Sequence, residues 1–210
     1  MAIRIMMLLK YWTKNKQLSF ISFDDELWGV LPQRTLHFLF PFQSETEISP
    51  AQETELKLEL EKRAWKLITD YLAKSEHSEY QCHIYLQNKH FHPTIVHKCL
   101  KLLKMKGYLS DRRFAEIYIQ SMLERGKSKN AIRFKLKEHK ISDDIFNELW
   151  ENLQDPILRK ELLEEQIANL LVRYRHEEPQ KAKQKVFTSL YRKGFCMDEI
   201  SDAWRDVRKP

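Results

Sequence analysis

The stretch "GYLSDRRFAEIYIQSMLERGKSKNAIRFKLKEHKIS", Gly107 to Ser142, decides the fold of this 210-residue chain. It opens on one of only four glycines, which makes the residue a marker. Upstream, Ile95, Val96, Cys99, Leu100, Leu102 and Leu103 recur at helical spacing. Lys98, Lys101, Lys104 and Lys106 crowd the last turns, where cations complement the negative end of a helix dipole. Gly107 then stops that helix, because a glycine just past a helix end takes the left-handed backbone without a Cβ penalty. Tyr108 and Leu109 can return to the core, and Ser110 or Asp111 can cap the next helix.

Working outward, the chain repeats itself. "SEYQCHIYLQNKHFHPTIVHKCLKLL" from Ser78 lies over "SKNAIRFKLKEHKISDDIFNELWENL" from Ser128 without a gap. Cys82 falls on Ile132, Leu86 on Leu136, Phe91 on Ile141, Ile95 on Ile145 and Leu103 on Leu153, an offset of 136 − 86 = 50 residues. A third copy from Ala182 fits at 190 − 136 = 54, through Val186, Leu190, Phe195, Ile200 and Trp204. Its four extra residues are assigned to the loop "HEEPQ". An amphipathic segment precedes each copy, Ala64 to Leu72, Phe114 to Leu123 and Leu163 to Val172, with Leu67, Ile117 and Ile167 at equivalent places. The unit is three helices in about 50 residues, a period that signals stacked repeats sharing a core.

Residues 1–48 read differently. "LSFISF" and "LWGVL" are short β-prone runs around the acidic turn Asp24-Asp25-Glu26, a hairpin with Phe20, Phe23 and Trp28 near its packed side. "FPFQSETEISPAQE" reads as a linker, with Ser49 capping and Pro50 opening a helix. The division is thus 1–48 hairpin segment and linker, then repeats at 49–106, 107–155 and 156–210.

Composition bounds the function. The net charge is +6, unevenly placed: residues 1–60 carry 6 Lys and Arg against 8 Asp and Glu, whereas residues 61–110 carry 9 against 4. The apolar start Met1 to Leu9 contains Arg4 and is too short to span a bilayer, so the chain reads as cytoplasmic, without a membrane partner. Cys82, Cys99 and Cys196 are odd in number and scattered, as reduced core thiols are. His90, His92, His97 and Cys99 raise zinc, but the repeat places the first two at a turn and Cys99 opposite the core residue Leu149, so no metal is expected. Trp150, Trp204, Tyr118 and Phe114 fall on apolar stripes and read as core. Asp143-Asp144 and Asp198-Glu199 begin third helices, where carboxylates favour the dipole. Neither a phosphate-binding loop nor a catalytic constellation is recognisable, and no cofactor is expected.

The Gly107–Ser142 stretch resembles the central repeat of the RecX family, regulators of the bacterial RecA recombinase. Gly107, Tyr108, Leu109, Asp111, Phe114, Ala115, Arg125, Gly126, Ile132, Leu136 and Ile141 fall on that family's pattern. The resemblance extends more weakly over all three repeats, and the hairpin with its "FDDE" turn is similar to an extension some members carry. Ser110 replaces the usual acid after the Leu, Arg112 stands where an acid is common, and the usual Glu-Leu after the capping Ser is shifted or lost in "SEYQC". The joint is therefore more basic than in the family at large. The resemblance implies a mainly α fold of three tandem three-helix repeats in an elongated array, with a short N-terminal β-hairpin segment. It also implies a non-enzymatic regulator of homologous recombination and DNA repair, within the SOS response. Such a protein is a monomer that binds the RecA filament on single-stranded DNA along its groove. It inhibits ATPase, filament growth and strand exchange, with weak direct DNA binding as a secondary contact.

The residues themselves supply a surface for this. With Ile132 as reference at 100° per residue, Leu136 lies on the same side, while Lys129, Arg133, Lys137 and Lys140 cluster in a stripe about 100° away. Arg125 and Lys127 extend the ridge, and Arg112 and Arg113 stand at the joint before it. The third repeat adds Lys181, Lys185, Arg192 and Lys193 more loosely. The plainer reading is a solvated helix face, yet like charges so spaced repel by a few tenths of a kcal/mol per pair. These residues are the expected contacts to filament or DNA backbone. The competing function is autonomous DNA binding through helix-turn-helix units, opposed by the acidic third helices with Asp143, Asp144, Glu148 and Glu151.

Overall fold

The structure is a computed structural model and describes residues 6–15, 17–39 and 45–207. Residues 1–5 of the apolar start and 40–44 of the expected linker lie outside the described residues. The chain divides into two compact units, Met1–Ser110 and Asp111–Pro210.

The first unit begins with β1 (Met7–Asn15), β2 (Leu18–Phe23), β3 (Glu26–Pro32), α1 (Gln33–Leu39) and β4 (Glu45–Ile48). They form an antiparallel sheet in the order β3-β2-β1-β4. The expected hairpin is β2–β3; Asp24 and Asp25 turn it at φ 48° and 66°, the pair of positive angles a two-residue hairpin turn demands. Asp24 Oδ1 accepts from Leu8 N at 3.0 Å, tying the turn to β1. The hairpin thus belongs to a larger sheet, and Glu45–Ile48 is a strand on β1 instead of part of a linker, pairing Ile48 with Met7 and Glu47 with Leu8. The partner is some forty residues distant, so no local pattern revealed it.

Strand alternation puts Leu9, Ile21, Phe23 and Leu31 in the core with α2 (Pro50–Leu72) and α4 (Pro93–Met105). Phe20 points to the opposite face from Ile21, against the expectation of a packed position, and stacks there on Trp12. At Gly29 an added Cβ would meet Leu60 Cδ2 at 2.7 Å and Phe91 Cδ1 at 3.2 Å, which is how closely the sheet lies on the helices. Ser49 and Gln52 form a capping box at the start of α2, with Pro50 in its first turn. Ser78 and Gln81 form another on α3 (Glu79–Asn88).

The second unit holds α5 (Asp111–Glu124), α6 (Lys129–Glu138) and α7 (Asp143–Leu153), then α8 (Pro156–Arg173), α9 (Pro179–Arg192) and α10 (Met197–Val207). The repeat offsets hold in the turn between second and third helices. Phe91, Ile141 and Phe195 each donate a backbone bond to Leu86, Leu136 and Leu190 respectively, and the residue before each is left-handed, at φ 65°, 61° and 89°. The first-helix register differs by one: the buried pairs are Ala64 with Ala115 and Ile68 with Ile119, an offset of 115 − 64 = 51, and Ile117 is 49% exposed. The cause is the shorter connection between α5 and α6 than between α2 and α3. The four extra residues of the third repeat become a further turn of α9, opened by Pro179, instead of a longer loop. Leu109 is buried as expected, but Tyr108 is 54% exposed, as is Leu102 in part. Cys82 and Cys99 are buried, and burial pushes the Cys99 thiol up to about 11, whereas Cys196 is exposed, contrary to a core position.

Among the described residues no helix is long and apolar enough to cross a membrane, and no three His, Cys, Asp or Glu side chains could hold a metal ion. His92 caps α4, accepting from Thr94 N at 3.2 Å through Nδ1, while its Nε2 lies 2.9 Å from Glu26.

Candidate partner-binding groove

The second and third repeats meet through the ends of their helices. Ser128 caps α6, accepting from Ala131 N at 3.2 Å, and its hydroxyl donates to Lys193 O at 2.7 Å. Asn130 Nδ2 donates to Gly194 O at 3.1 Å, and Gln166 Nε2 donates to Gly126 O at 2.9 Å. Gly194 is dictated twice: its φ is 89°, and an added Cβ would stand 2.7 Å from Ser128 Oγ. These contacts satisfy backbone carbonyls that helix ends leave without partners.

Above the seam lies a groove of about 490 Å³. Tyr118, Met122 and Ile132 line it, Phe134 stands 61% exposed at its side, and Lys127, Lys135, Arg192 and Lys193 surround it. Lys193 Nζ donates to Gln166 Oε1 at 3.1 Å and Lys135 pairs with Glu138 at 2.8 Å. Among the described residues no ion pair engages Lys127 or Arg192. An apolar wall, an exposed aromatic ring and cations from two repeats suit an acidic, partly apolar partner.

The expected ridge divides. Lys127, Arg192 and Lys193 come together here. Lys129, Arg133 and Lys137 do share one side of α6, and that side faces α7. The Lys129 ammonium lies 5.4 Å from the Trp150 ring, and Arg133 and Lys137 pair with Asp143 at 2.7 and 3.0 Å. Arg133 first, then Lys137, hold the Asp143 carboxyl down at about 2. Lys140 follows the end of α6, in the left-handed turn, so it does not continue a helical stripe. Arg112 pairs with Glu148 at 2.8 Å, Lys181 with Glu178 at 3.4 Å and Lys185 with Glu177. Arg125 is exposed where α5 ends, and Arg113 is half-buried in its first turn.

The sequence reading did not include Lys135, Phe134, Asn130 or Gln166. Phe134 carried a signal: it sits about 200° from Ile132 on the same helix, an aromatic on the polar side. Gln166 carried none, since its partner is a backbone carbonyl in another repeat.

The architecture and groove define a class, a tandem three-helix-repeat protein with a basic groove between its second and third repeats. Comparison with known proteins specifies it. Residues 110–148 match the second three-helix domain of RecX, and residues 160–204 match the third. The regulatory protein RecX of Haemophilus influenzae (strain 86-028NP) is 30% identical over 147 residues, covering 66% of this chain and 91% of that protein. That of Streptococcus uberis is 28% identical over 193 residues, 89% of this chain and 72% of the other. A crystal structure of regulatory protein RecX superposes with a TM-score of 0.66 at 22% identity, covering 94% of this chain and 100% of that one. RecX from Lactobacillus salivarius gives 0.64 at 21% identity, covering 70% and 96%. The two solved structures share its fold, and the chain belongs to the RecX family of regulatory proteins.

Proposed function

We propose that this protein regulates the RecA recombinase by binding the RecA filament on single-stranded DNA along its groove, and that binding inhibits ATP hydrolysis, filament growth and strand exchange. It acts in the cytoplasm as a monomer, in recombination and DNA repair. The observation that carries this reading is the cationic groove beside Phe134, where Lys127 and Arg192 from different repeats stand without ion pairs among the described residues. Family membership supplies the partner, and the groove supplies a surface of matching chemistry. Lys129, Arg133, Lys137, Lys140, Arg112, Arg113, Arg125, Lys181 and Lys185 form an outer, lesser contact zone, because several already have intramolecular carboxylate partners.

Autonomous helix-turn-helix binding is disfavoured. The third helices α7 and α10 open on Asp143-Asp144 and Asp198-Glu199, which a major groove would repel.

The test is an ATPase titration of the cognate recombinase on single-stranded DNA. Sub-stoichiometric protein slows turnover. The double variant Lys127→Glu with Arg192→Glu raises the half-inhibitory concentration by about tenfold, equivalent to roughly 1.4 kcal/mol. Arg133→Glu with Lys137→Glu raises it less. Undiminished turnover with the wild-type protein sinks the function, and wild-type potency in the first double variant sinks the site.

A further inference from the structure

The outer face of the N-terminal sheet carries an exposed aromatic surface of its own. Trp12 on β1 and Phe20 on β2 are cross-strand partners whose rings stack at 5.3 Å and 25°. Aromatic pairing of this kind stabilises a sheet, yet Trp12 remains 48% exposed, so its indole keeps a large open surface. The Lys14 ammonium lies 5.1 Å from the Phe20 ring centroid. The His90 imidazole meets the same ring edge-on at 5.3 Å, and both its partial burial and the nearby Lys14 charge lower its pKa.

His90 is there at a cost. It occupies the left-handed turn position at φ 65°, filled in the third repeat by Gly194, a conformation that strains a residue with a Cβ. The carboxylates Asp25 and Glu45 pair with Lys10 at 2.9 and 3.4 Å, at the end of this face away from Lys14. The aromatic end is therefore the cationic end.

We propose that Trp12 and Phe20, with Lys14 and His90, form a stacking platform for single-stranded nucleic acid, separate from the groove in the second unit. A flat aromatic surface accepts any base, because every base has a π-face, and an adjacent cation holds the phosphate. Trp12 and Lys14 are two residues apart on one strand, about 6.8 Å, so one nucleotide places its base on the indole and its phosphate at the ammonium. The bases of a duplex are stacked on each other and unavailable. Single strands are thereby preferred over duplex.

The experiment uses the full chain without recombinase, and a thymidine oligonucleotide of about 12 nucleotides. Wild-type protein binds it at low salt with quenching of tryptophan fluorescence, and duplex of equal length competes poorly. Trp12→Leu weakens binding by about tenfold and loses most of the quenching. Lys14→Ala weakens it and lowers the salt slope by about one. His90→Gly weakens binding while the melting temperature does not fall, since glycine suits that backbone angle. Lys127→Glu with Arg192→Glu is measured beside them, and Trp12→Leu loses more affinity than it does. The proposal is overturned if wild type does not bind, if duplex competes as well as single strand, or if only the groove variant loses affinity. Should Trp12→Leu fail to fold, wild-type affinity in both Lys14→Ala and His90→Gly overturns it equally. Because no recombinase is present, the outcome is independent of the ATPase titration.

Discussion

The turn from α3 to α4 and the turn from α9 to α10 have the same backbone and opposite uses. In each, the residue after the left-handed position donates back into the preceding helix, Phe91 to Leu86 at 3.3 Å and Phe195 to Leu190 at 3.2 Å. The left-handed residue donates to the residue three before it, His90 to Gln87 and Gly194 to Tyr191, both at 2.8 Å. At Gly194 the backbone itself is the contact: Ser128 and Asn130 of the neighbouring repeat bond to the carbonyls of Lys193 and Gly194, and no Cβ fits between. At His90 a side chain is carried despite the strain, and it lies against an aromatic of the sheet. One joint packs a repeat on a repeat, while the other presents a side chain. A shared fold therefore does not make the three turns interchangeable.

Substitution at the joint between repeats breaks this contrast most severely. Gly194→Ala combines a strained angle with a clash against Ser128, and is expected to cost about 2 kcal/mol, several degrees in melting temperature. An unchanged melting temperature would mean that the seam between the second and third repeats does not depend on this approach. Ser128→Ala comes next, at about 1–2 kcal/mol, because it removes a cap and the bond to Lys193 O together. Ser142→Ala, which removes a cap from α7, costs less, at the lower end of about 0.5–2 kcal/mol. Equal losses in chemical denaturation would remove the distinction between a capping and a seam serine.

The smallest effect is electrostatic and concerns Asp143. Its carboxyl is held at about 2 by Arg133 and Lys137, below the ordinary 3.8. A folded-state value below the unfolded one contributes stability that is fully present above about 3.8 and is lost as the pH falls through about 2. Asp143→Asn should therefore lower stability slightly at neutral pH and leave it unchanged near pH 2, which flattens the acid limb of the stability profile. A midpoint for this carboxyl near 4 in a solution NMR titration would show that the two cations turn elsewhere, freeing them for a partner.

The helical part was legible because its signals are local. Periodicity gives the second and third helices, Ser49 before Pro50 marks a helix start, and the repeat offsets of 50 and 54 place Phe91, Ile141 and Phe195 at one structural position. In the first helices Leu67, Ile117 and Ile167 align by periodicity, whereas packing buries Ile68, Ile119 and Ile167 and leaves Ile117 exposed, because helical periodicity tolerates a slip of one or two residues that only packing resolves. In the sheet, β2 and β3 were visible through their shared turn, whereas β1 and β4 were not: their pairing is long-range, and Glu45–Ile48 alternates over too few residues to be distinctive.

For the contact surface the division is similar. The sequence by itself determined three amphipathic helical triplets, and that Lys and Arg would crowd one side of α6, since a helix fixes angles between its own residues. The expected shared core is corrected by packing: the buried residues of α5–α7 and those of α8–α10 form separate clusters. Tertiary structure alone decided which of those charges remain available. Arg133 and Lys137 meet a carboxylate across a turn, while Lys127 and Arg192, 65 residues apart (192 − 127), line one groove with Phe134. The reason is physical: an ion pair or a groove is a distance between side chains on different helices, and that distance is set by how the helices pack.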